Sequence, residues 1–180
     1  MCDVREVFTQ HGVRWWLMHG TLLGAHREGN IIQGDDDIDY GIWEEDYKDL
    51  VSHEARYEPL VRDLRAKGYH IPKYGQVHYI KSPKECPGFK LYMDNWVYRV
   101  VDGTNLPLEK GAFVQYTMCK PGTTAQRYAR RHFTKLSQVH LAGNAFPAPS
   151  QTERLLEYIY GPEWRFPMDT KANAGSQSCT

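Results

Sequence analysis

The feature that most constrains this chain is a run of acidic residues set among isoleucines, GNIIQGDDDIDYGIWEED at 29–46. Polar and apolar residues alternate over 37–42, which is typical of a strand with one buried face. The alternation places Asp35, Asp37 and Asp39 on one side and leaves Asp36 facing the other way. Carboxylates this close repel one another, and their burial is costly unless a partner neutralises them. The segment therefore predicts a strand edge that has a compensating partner.

Three interpretations of this acidic segment compete. A solvated acidic loop is disfavoured because the flanking isoleucines indicate partial burial. A calcium loop of the EF-hand type would use Asp35, Asp37, Asp39 and, at its twelfth position, Asp46, but Tyr40 stands where the sharp turn needs glycine. A divalent-metal site for phosphoryl-type transfer needs carboxylate oxygens that share a hard cation with substrate phosphates. We favour this third interpretation, with Mg²⁺ or Mn²⁺ as the cation.

A glycine turn leads into the acidic segment. VRWWLM at 13–18 predicts a short buried strand, and HGTLLGAHREG at 19–29 predicts a tight turn at Gly20, a helix capped by Thr21 and an end at Gly29. The free N–H groups and the dipole at a helix N-terminus favour anions. The triplet HGT therefore predicts a cradle for a substrate phosphate beside the acidic strand.

A later strand supplies a further carboxylate. In FKLYMDNWVYRVVDG at 89–103, the alternation of a strand puts Asp94 on one face with Tyr92, Trp96 and Tyr98. A carboxylate in the middle of an aromatic strand face is unusual unless it has a function. We therefore predict Asp94 as the third carboxylate of the metal site.

Helices account for much of the remaining chain. Apolar residues at helical spacing predict one helix around 4–8 that ends at Gly12. A second helix is predicted over 44–68, with an acid-rich first turn that suits the helix dipole and a break or kink near Pro59.

The C-terminal part shows a full set of helix-end signals. Over 149–161, Ser150 is the predicted N-cap, Glu153 completes a capping box and Gly161 ends the helix. A further strand is predicted within 69–83. Together these elements predict a single α/β (α+β) domain over 1–168, and the small polar residues of 169–180 predict a disordered tail.

Charge and composition narrow the possible partners. The formal net charge of the 180 residues is zero, which argues against nucleic acid as a partner. Between 120 and 135 there are five Lys or Arg residues and no Asp or Glu. This basic stretch predicts contacts with a phosphorylated ligand, with an exposed basic face as the alternative. Its candidate substrate-binding residues are Arg130, Arg131, His132 and Lys135.

Other classes of site and location are less supported. The four cysteines show no C-x-x-C spacing, so a zinc site is not predicted. No stretch is long and apolar enough for a membrane span, and the N-terminus does not look like a signal peptide. The abrupt start predicts a piece of a longer protein, which leaves a cytoplasmic or a Golgi-luminal location open.

Two long motifs resemble the LicD/fukutin family. WWLMHGTLLGAHREGNIIQGDDDIDYGI is similar to the family signature, roughly Gly-[Thr/Ser]-Leu-Leu-Gly-Ala-x-Arg followed by Ile-x-x-Asp-x-Asp-x-Asp. FPAPSQTERLLEYIYGPEW at 146–164 resembles the C-terminal segment of the family. The matching positions of the first motif are Gly20, Thr21, Leu22, Leu23, Gly24, Ala25, Arg27, Ile32, Asp35, Asp37 and Asp39.

The resemblance implies a nucleotidyltransferase-like mixed sheet flanked by helices, with a helical C-terminal part. It further implies a metal-dependent transferase that moves a phosphorylated small alcohol, of the phosphocholine or ribitol phosphate type, from a CDP-linked donor to a glycan hydroxyl. By the motif, Asp37 and Asp39 would bind the metal, and Asp94 would be a third ligand or a base. Asp35 would be a neighbouring ligand or a group that supports the ligands without binding the metal. Donor phosphate would be held by Gly20, Thr21 and Arg27.

One departure from the family pattern concerns the donor pocket. The family usually has Pro-Trp before the first acid, whereas this chain has Gln33 and Gly34. Loss of a tryptophan wall would loosen the donor pocket or alter its choice of leaving group. Two alternatives stay open: a non-catalytic metal- or carbohydrate-binding module on the same fold, and a GT-A-like glycosyltransferase with an Asp-x-Asp site.

Overall fold

The computed structural model describes residues 1–46, 54–69, 92–101, 113–116 and 127–167. In the described residues, five strands form a sheet with the order β1-β2-β3-β4-β5, in which β2 and β3 are parallel and the other neighbours are antiparallel. With the helices described below, this mixed sheet confirms the predicted fold class. The strands are β1 (Trp15–Leu17), β2 (Asp37–Trp43), β3 (Tyr92–Val101), β4 (Phe113–Tyr116) and β5 (Arg127–Ala129).

Helices and a hairpin surround this sheet. Among the described residues, the structure has helices α1 (Cys2–Gln10), α2 (His19–Glu28), α3 (Glu54–Ala66) and α4 (Thr152–Tyr160), and residues 44–46 are also helical. The hairpin consists of β6 (Leu136–Leu141) and β7 (Asn144–Pro149), and a 3₁₀ turn covers Arg130–His132. No helix within the described ranges is long and apolar enough to cross a membrane.

One face of the sheet forms the main core. Ile38, Tyr40 and Ile42 of β2 alternate onto this face, and all three are almost completely buried. Phe8 of α1 packs against Tyr40 at a ring-centroid distance of 5.7 Å, and Trp15 meets Phe146 of the hairpin at 6.4 Å. These contacts hold α1 and the hairpin to β1 and β2.

The opposite face of the sheet is aromatic. Trp16 crosses directly over Gly41, and a Cβ at Gly41 would lie 2.4 Å from the Trp16 ring. Only glycine permits so close an approach between a backbone and a ring. Trp16 then packs against Trp43 at 5.0 Å and Phe133 at 5.3 Å.

Several predicted boundaries differ from the structure. The strand predicted at 13–18 is only Trp15–Leu17, and α2 begins at His19 with Met18 at the N-cap position, so Thr21 is not its cap. The helical prediction for 44–68 is confirmed at 44–46 and in α3, which contains Pro59. Residues 47–53 of the predicted helix, residues 70–83 of the predicted strand segment and the predicted tail lie outside the described residues.

The predicted capping box at α4 is wrong. Gln151 occupies the N-cap position, in a left-handed conformation and without a side-chain cap. Ser150 Oγ instead donates to the carbonyls of Arg131 and His132, at 3.1 and 3.2 Å. Glu153 Oε2 accepts from Arg165 Nη2 at 2.7 Å. Both side chains therefore serve tertiary contacts that local spacing does not reveal.

Candidate functional site

The two acidic segments meet where β2 and β3 begin. Asp39 is directly opposite Asp94 in the parallel register, and Asp37 is opposite Tyr92. Asp39 and Asp94 therefore lie on the same face of the sheet. The structure brings together carboxylates that are 55 residues apart in the chain, the difference between positions 94 and 39.

Asp39 is the buried carboxylate of this group, with 8% of its surface exposed. The backbone N–H of Gly20 donates to Oδ2 at 3.1 Å, and the indole Nε1 of Trp96 donates to Oδ1 at 2.7 Å. Burial nevertheless raises the pKa of Asp39 to about 7, and the charge of Asp37 adds to the rise while the two hydrogen bonds oppose it. Both carboxylate oxygens of Asp39 are thus held by hydrogen bonds, but these bonds do not offset the cost of burying its negative charge.

A tight turn delivers Asp35 to the same place. The Asp35 N–H donates to the Ile32 carbonyl at 3.0 Å, and Gly34 between them has a φ of +90°. This is the arrangement of a type II turn, which requires a positive φ at its third residue and therefore favours glycine. The departure from the family pattern at Gly34 accordingly has a local backbone reason.

Gly20 lies between the Asp35 and Asp39 carboxylates. A Cβ on Gly20 would lie 3.0 Å from Asp35 Oδ2 and 3.5 Å from Asp39 Oδ2. The missing side chain therefore leaves room for both carboxylates at the start of α2. Burial and the charge of Asp37 raise the pKa of Asp35 to about 6.

The calcium-loop interpretation is wrong. Residues 37–43, the centre of the supposed loop, form strand β2. Asp46, the supposed last ligand, is buried and accepts from Arg14 Nε at 2.8 Å. The burial of Asp39 and Asp46 also contradicts the solvated acidic loop.

The other predicted donor-phosphate residues lie on α2. Thr21 is fully buried, and its hydroxyl accepts a hydrogen bond from the Asp39 N–H at 2.8 Å. Arg27 lies near the opposite end of the helix, seven residues or about 10 Å along the axis from Gly20, and pairs with Glu28. Thr21 therefore joins α2 to β2, and the contacts of both side chains with a donor phosphate stay predictions.

The predicted basic residues lie around the 3₁₀ turn. Arg130, Arg131 and Lys135 are exposed, whereas His132 is buried. Phe133, next in the chain, packs on Trp16 and so fixes the turn against the aromatic face. The contact of the four predicted basic residues with a substrate stays a prediction.

Trp96 and His19 were not predicted as site residues. The indole N–H of Trp96 donates a hydrogen bond to the buried Asp39 carboxylate. The shared strand face of Trp96 and Asp94 was the available signal. His19 is fully buried, with its ring centroid 4.1 Å from that of Trp96.

The donor set suits a hard cation, although it is not a ready-made metal site. Across the described part of the chain, no three carboxylate, imidazole or thiol side chains are grouped so as to hold a metal ion as they stand. Asp35 and Asp39 nevertheless both face Gly20, and both have a raised pKa. Closely spaced carboxylates of this kind are stabilised by Mg²⁺ or Mn²⁺, which prefer oxygen ligands.

Known proteins share this segment. Human ribitol 5-phosphate transferase FKRP is 28% identical over 154 residues, which is 84% of this chain and 28% of that protein. An uncharacterised protein of Rickettsia typhi is 35% identical over 80 residues, 44% of this chain and 23% of that protein. The chain thus spans about a quarter of the length of these curated relatives.

A solved structure and a family also match. The crystal structure of a lincosamide antibiotic adenylyltransferase with bound lincomycin aligns with a TM-score of 0.41 and 17% identity, covering 84% of this chain and 78% of that one. The family described as LicD/FKTN/FKRP, nucleotidyltransferase domain, matches residues 12–151, which include the glycine turn, the aspartates and the hairpin. The chain therefore belongs to the LicD/FKTN/FKRP nucleotidyltransferase domain family.

Proposed function

We propose that this chain is the domain of a transferase that moves a phosphorylated small alcohol from a CDP-linked donor to a hydroxyl group of a glycan. Family membership and the name of the human relative, a ribitol 5-phosphate transferase, support this class of reaction. The same name favours ribitol phosphate over phosphocholine as the transferred group.

The observation that carries the proposal is the convergence of two carboxylates on the start of α2. Asp35 and Asp39 face Gly20 from β2 and the turn before it, and Asp94 stands beside Asp39 in register. The positive end of a helix dipole thus adjoins a concentration of negative charge. A cation and a phosphate would complement these two features, whereas a carbohydrate would not require them.

The aspartates have different roles in this proposal. Asp35, Asp37 and Asp39 would hold Mg²⁺ or Mn²⁺, with Asp94 as a further ligand or as the base. The bound cation would neutralise charge on the donor phosphates. As a base, Asp94 would accept the proton of the acceptor hydroxyl while that oxygen bonds to phosphorus and the bond to CMP breaks.

A non-catalytic module is the second candidate. The observation that favours it is the lack of a preformed group of three metal ligands in the described ranges. Such a module would bind a donor or a glycan without releasing CMP. The GT-A-like alternative is disfavoured because the matching family is a nucleotidyltransferase domain.

The test is CMP release from a panel of CDP-alcohols, including CDP-ribitol and CDP-choline, in the presence of Mg²⁺ and a glycan acceptor. We expect wild-type protein to release CMP, and Asp37→Asn and Asp39→Asn to reduce the rate by about 100-fold or more, the upper range for losing even an outer partner of a metal. Asp36→Asn is the matched control, since Asp36 is exposed in the same segment.

The outcomes separate the two candidates. Donor binding without CMP release, equal in wild type and in the Asp37 and Asp39 variants, would favour the non-catalytic module. Failure of wild-type protein to bind any CDP-alcohol would contradict both the donor class and the transferase.

A further inference from the structure

His19 adjoins both groups that donate hydrogen bonds to Asp39, the Gly20 N–H and the Trp96 indole. Among the described contacts, His19 itself makes no hydrogen bond to Asp39. It is the first residue of α2, and its φ of +45° is one that non-glycine residues rarely adopt. The next residue is Gly20, whose N–H donates to Asp39 Oδ2 at 3.1 Å. The backbone at His19 therefore helps to aim the first of the two donors.

The His19 ring adjoins the second donor. Its centroid lies 4.1 Å from that of Trp96, and its Nε2 lies 3.1 Å from the Tyr98 hydroxyl oxygen. The indole Nε1 of Trp96 donates to Asp39 Oδ1 at 2.7 Å. Tyr98 thus anchors the imidazole, and the imidazole supports the indole that holds the carboxylate.

His19 is not placed to transfer protons. The ring is fully buried, and burial lowers the pKa of His19 to about 3, so the imidazole is neutral. Its Nδ1 is buried and has no hydrogen-bond partner among the described residues. A neutral ring enclosed by aromatic side chains acts through its shape and position.

We propose that His19 is a positioning residue that holds the Trp96 indole against Asp39 and so orients this carboxylate for its ligand. The proposal rests on the proposed function to the extent that the ligand is a divalent metal. Groups that orient metal ligands typically change metal affinity by about 10- to 100-fold when they are removed. The geometry thus extends the site from the aspartates to a chain of three side chains on one sheet face: Trp96, His19 and Tyr98.

The test compares His19→Asn with His26→Asn. Asparagine tolerates a positive φ, so His19→Asn keeps the backbone conformation and removes the ring. His26 is the matched control because it lies on the same helix and its ring also packs against a tryptophan, Trp164, at 5.5 Å. The two readouts are the Trp96 indole N–H resonance, identified by its loss in Trp96→Phe, and Mn²⁺ affinity at pH 8.

We expect His19→Asn to move the Trp96 indole resonance upfield, because its hydrogen bond to a carboxylate weakens, and to lower Mn²⁺ affinity by about 10-fold. His26→Asn should leave both unchanged. The proposal is overturned if His19→Asn behaves as His26→Asn does. A second outcome also overturns it. In that outcome Asp39→Asn loses Mn²⁺ affinity, whereas His19→Asn keeps the wild-type affinity although its Trp96 indole resonance has moved.

Two further variants keep the result interpretable. Tyr98→Phe removes only the hydroxyl that anchors His19, so it should shift the indole resonance in the same direction by less, even if His19→Asn does not fold. If His19→Asn does not fold and Tyr98→Phe leaves the indole resonance unchanged, the positioning role of His19 is contradicted. If Asp39→Asn binds Mn²⁺ as wild type does, the metal in the proposed function is wrong, and the indole resonance alone decides the role of His19.

Discussion

The carboxylate of Asp39 is held in place by hydrogen bonds that do not offset the cost of burying its charge. Gly20 and Trp96 donate to its two oxygens, yet burial still raises its pKa to about 7. Asp35 faces the same glycine and has a pKa of about 6, raised by burial and by the charge of Asp37. At this scale the site is a set of oriented carboxylates in which a cation would offset repulsion and desolvation.

The raised pKa of Asp35 predicts a pH-dependent effect on stability. A folded-state pKa of about 6 exceeds the unfolded value near 3.9, so this group stabilises the fold below about pH 4, and the contribution is lost as the pH rises through 6. Asp35→Asn removes the charge. Without divalent metal, we expect it to raise Tm by about 2–4 °C at pH 8 and by less at pH 4. This is the effect of about 1 kcal/mol in a chain this long, less than the full pKa shift implies because solvent screens this half-buried carboxylate.

Thermal unfolding at the two pH values measures this difference, and Asp36→Asn is the control for removing an exposed charge from the same segment. An equal gain from Asp36→Asn, or a gain from Asp35→Asn that is as large at pH 4 as at pH 8, would show that the local environment of Asp35 is not the cause.

At the scale of elements, the start of α2 is joined to the start of β2 by short-range contacts. Thr21 Oγ1 accepts from the Asp39 N–H at 2.8 Å, and the Asp39 carbonyl accepts from the Met18 N–H at 3.1 Å. Further along β2, Trp16 of β1 covers Gly41. These contacts align three consecutive elements, β1, α2 and β2, around the carboxylates.

The contact between Trp16 and Gly41 predicts a large effect for a small substitution. Gly41→Ala would place a methyl group 2.4 Å from the Trp16 ring. Overpacking of this kind costs about 1–3 kcal/mol in the free energy of unfolding, which urea denaturation measures.

Combining Gly41→Ala with Trp16→Leu provides the control, because the smaller side chain makes room for the new methyl group. The loss of stability in the double variant should be smaller than the sum of the two single losses. Strict additivity would contradict a direct clash between position 41 and the ring.

For the whole molecule, α2 connects the sheet to the C-terminal part. The Ala142 N–H of the hairpin donates to the Gly29 carbonyl at 2.8 Å, just after α2. His26 of α2 lies 3.4 Å from Glu153 of α4, and Leu155 of α4 is fully buried. The C-terminal helix thus belongs to the same packed core as the site.

This packing predicts that damage to α4 destabilises the whole structure. Leu155→Ala should lower the free energy of unfolding by about 2–5 kcal/mol, as expected for a buried leucine. Glu157→Ala, at an exposed position of the same helix, should change it by no more than about 0.5 kcal/mol.

Urea denaturation followed by tryptophan fluorescence measures both variants in a Trp164→Phe background, in which the remaining tryptophans all lie in β1, β2 and β3 and so report on the sheet. If Leu155→Ala left this transition in place, α4 would unfold independently of the sheet, and the single domain predicted over 1–168 would be wrong.

Local patterns in the sequence were sufficient for much of this protein. Alternation over 37–42 correctly predicted a strand. The alternation within 89–103 placed Asp94 and Trp96 on a common face of a second strand. Motif spacing indicated the family, helical periodicity predicted α1, and the end signal at Gly161 correctly predicted where α4 stops. Such properties depend on residues a few positions apart, whose geometry the backbone period dictates.

Tertiary structure alone decided which distant groups are partners. Asp39 and Trp96 are 57 residues apart, and Arg14 and Asp46 are 32 apart, so neither pair follows from local spacing. Ser150 had the spacing of an N-cap yet donates to carbonyls near the 3₁₀ turn. The sequence by itself determined the acidic strand and its family, whereas the environment that raises the pKa of Asp39 arises only when α2 and β3 close over it, because burial and hydrogen bonding depend on the neighbours that folding provides.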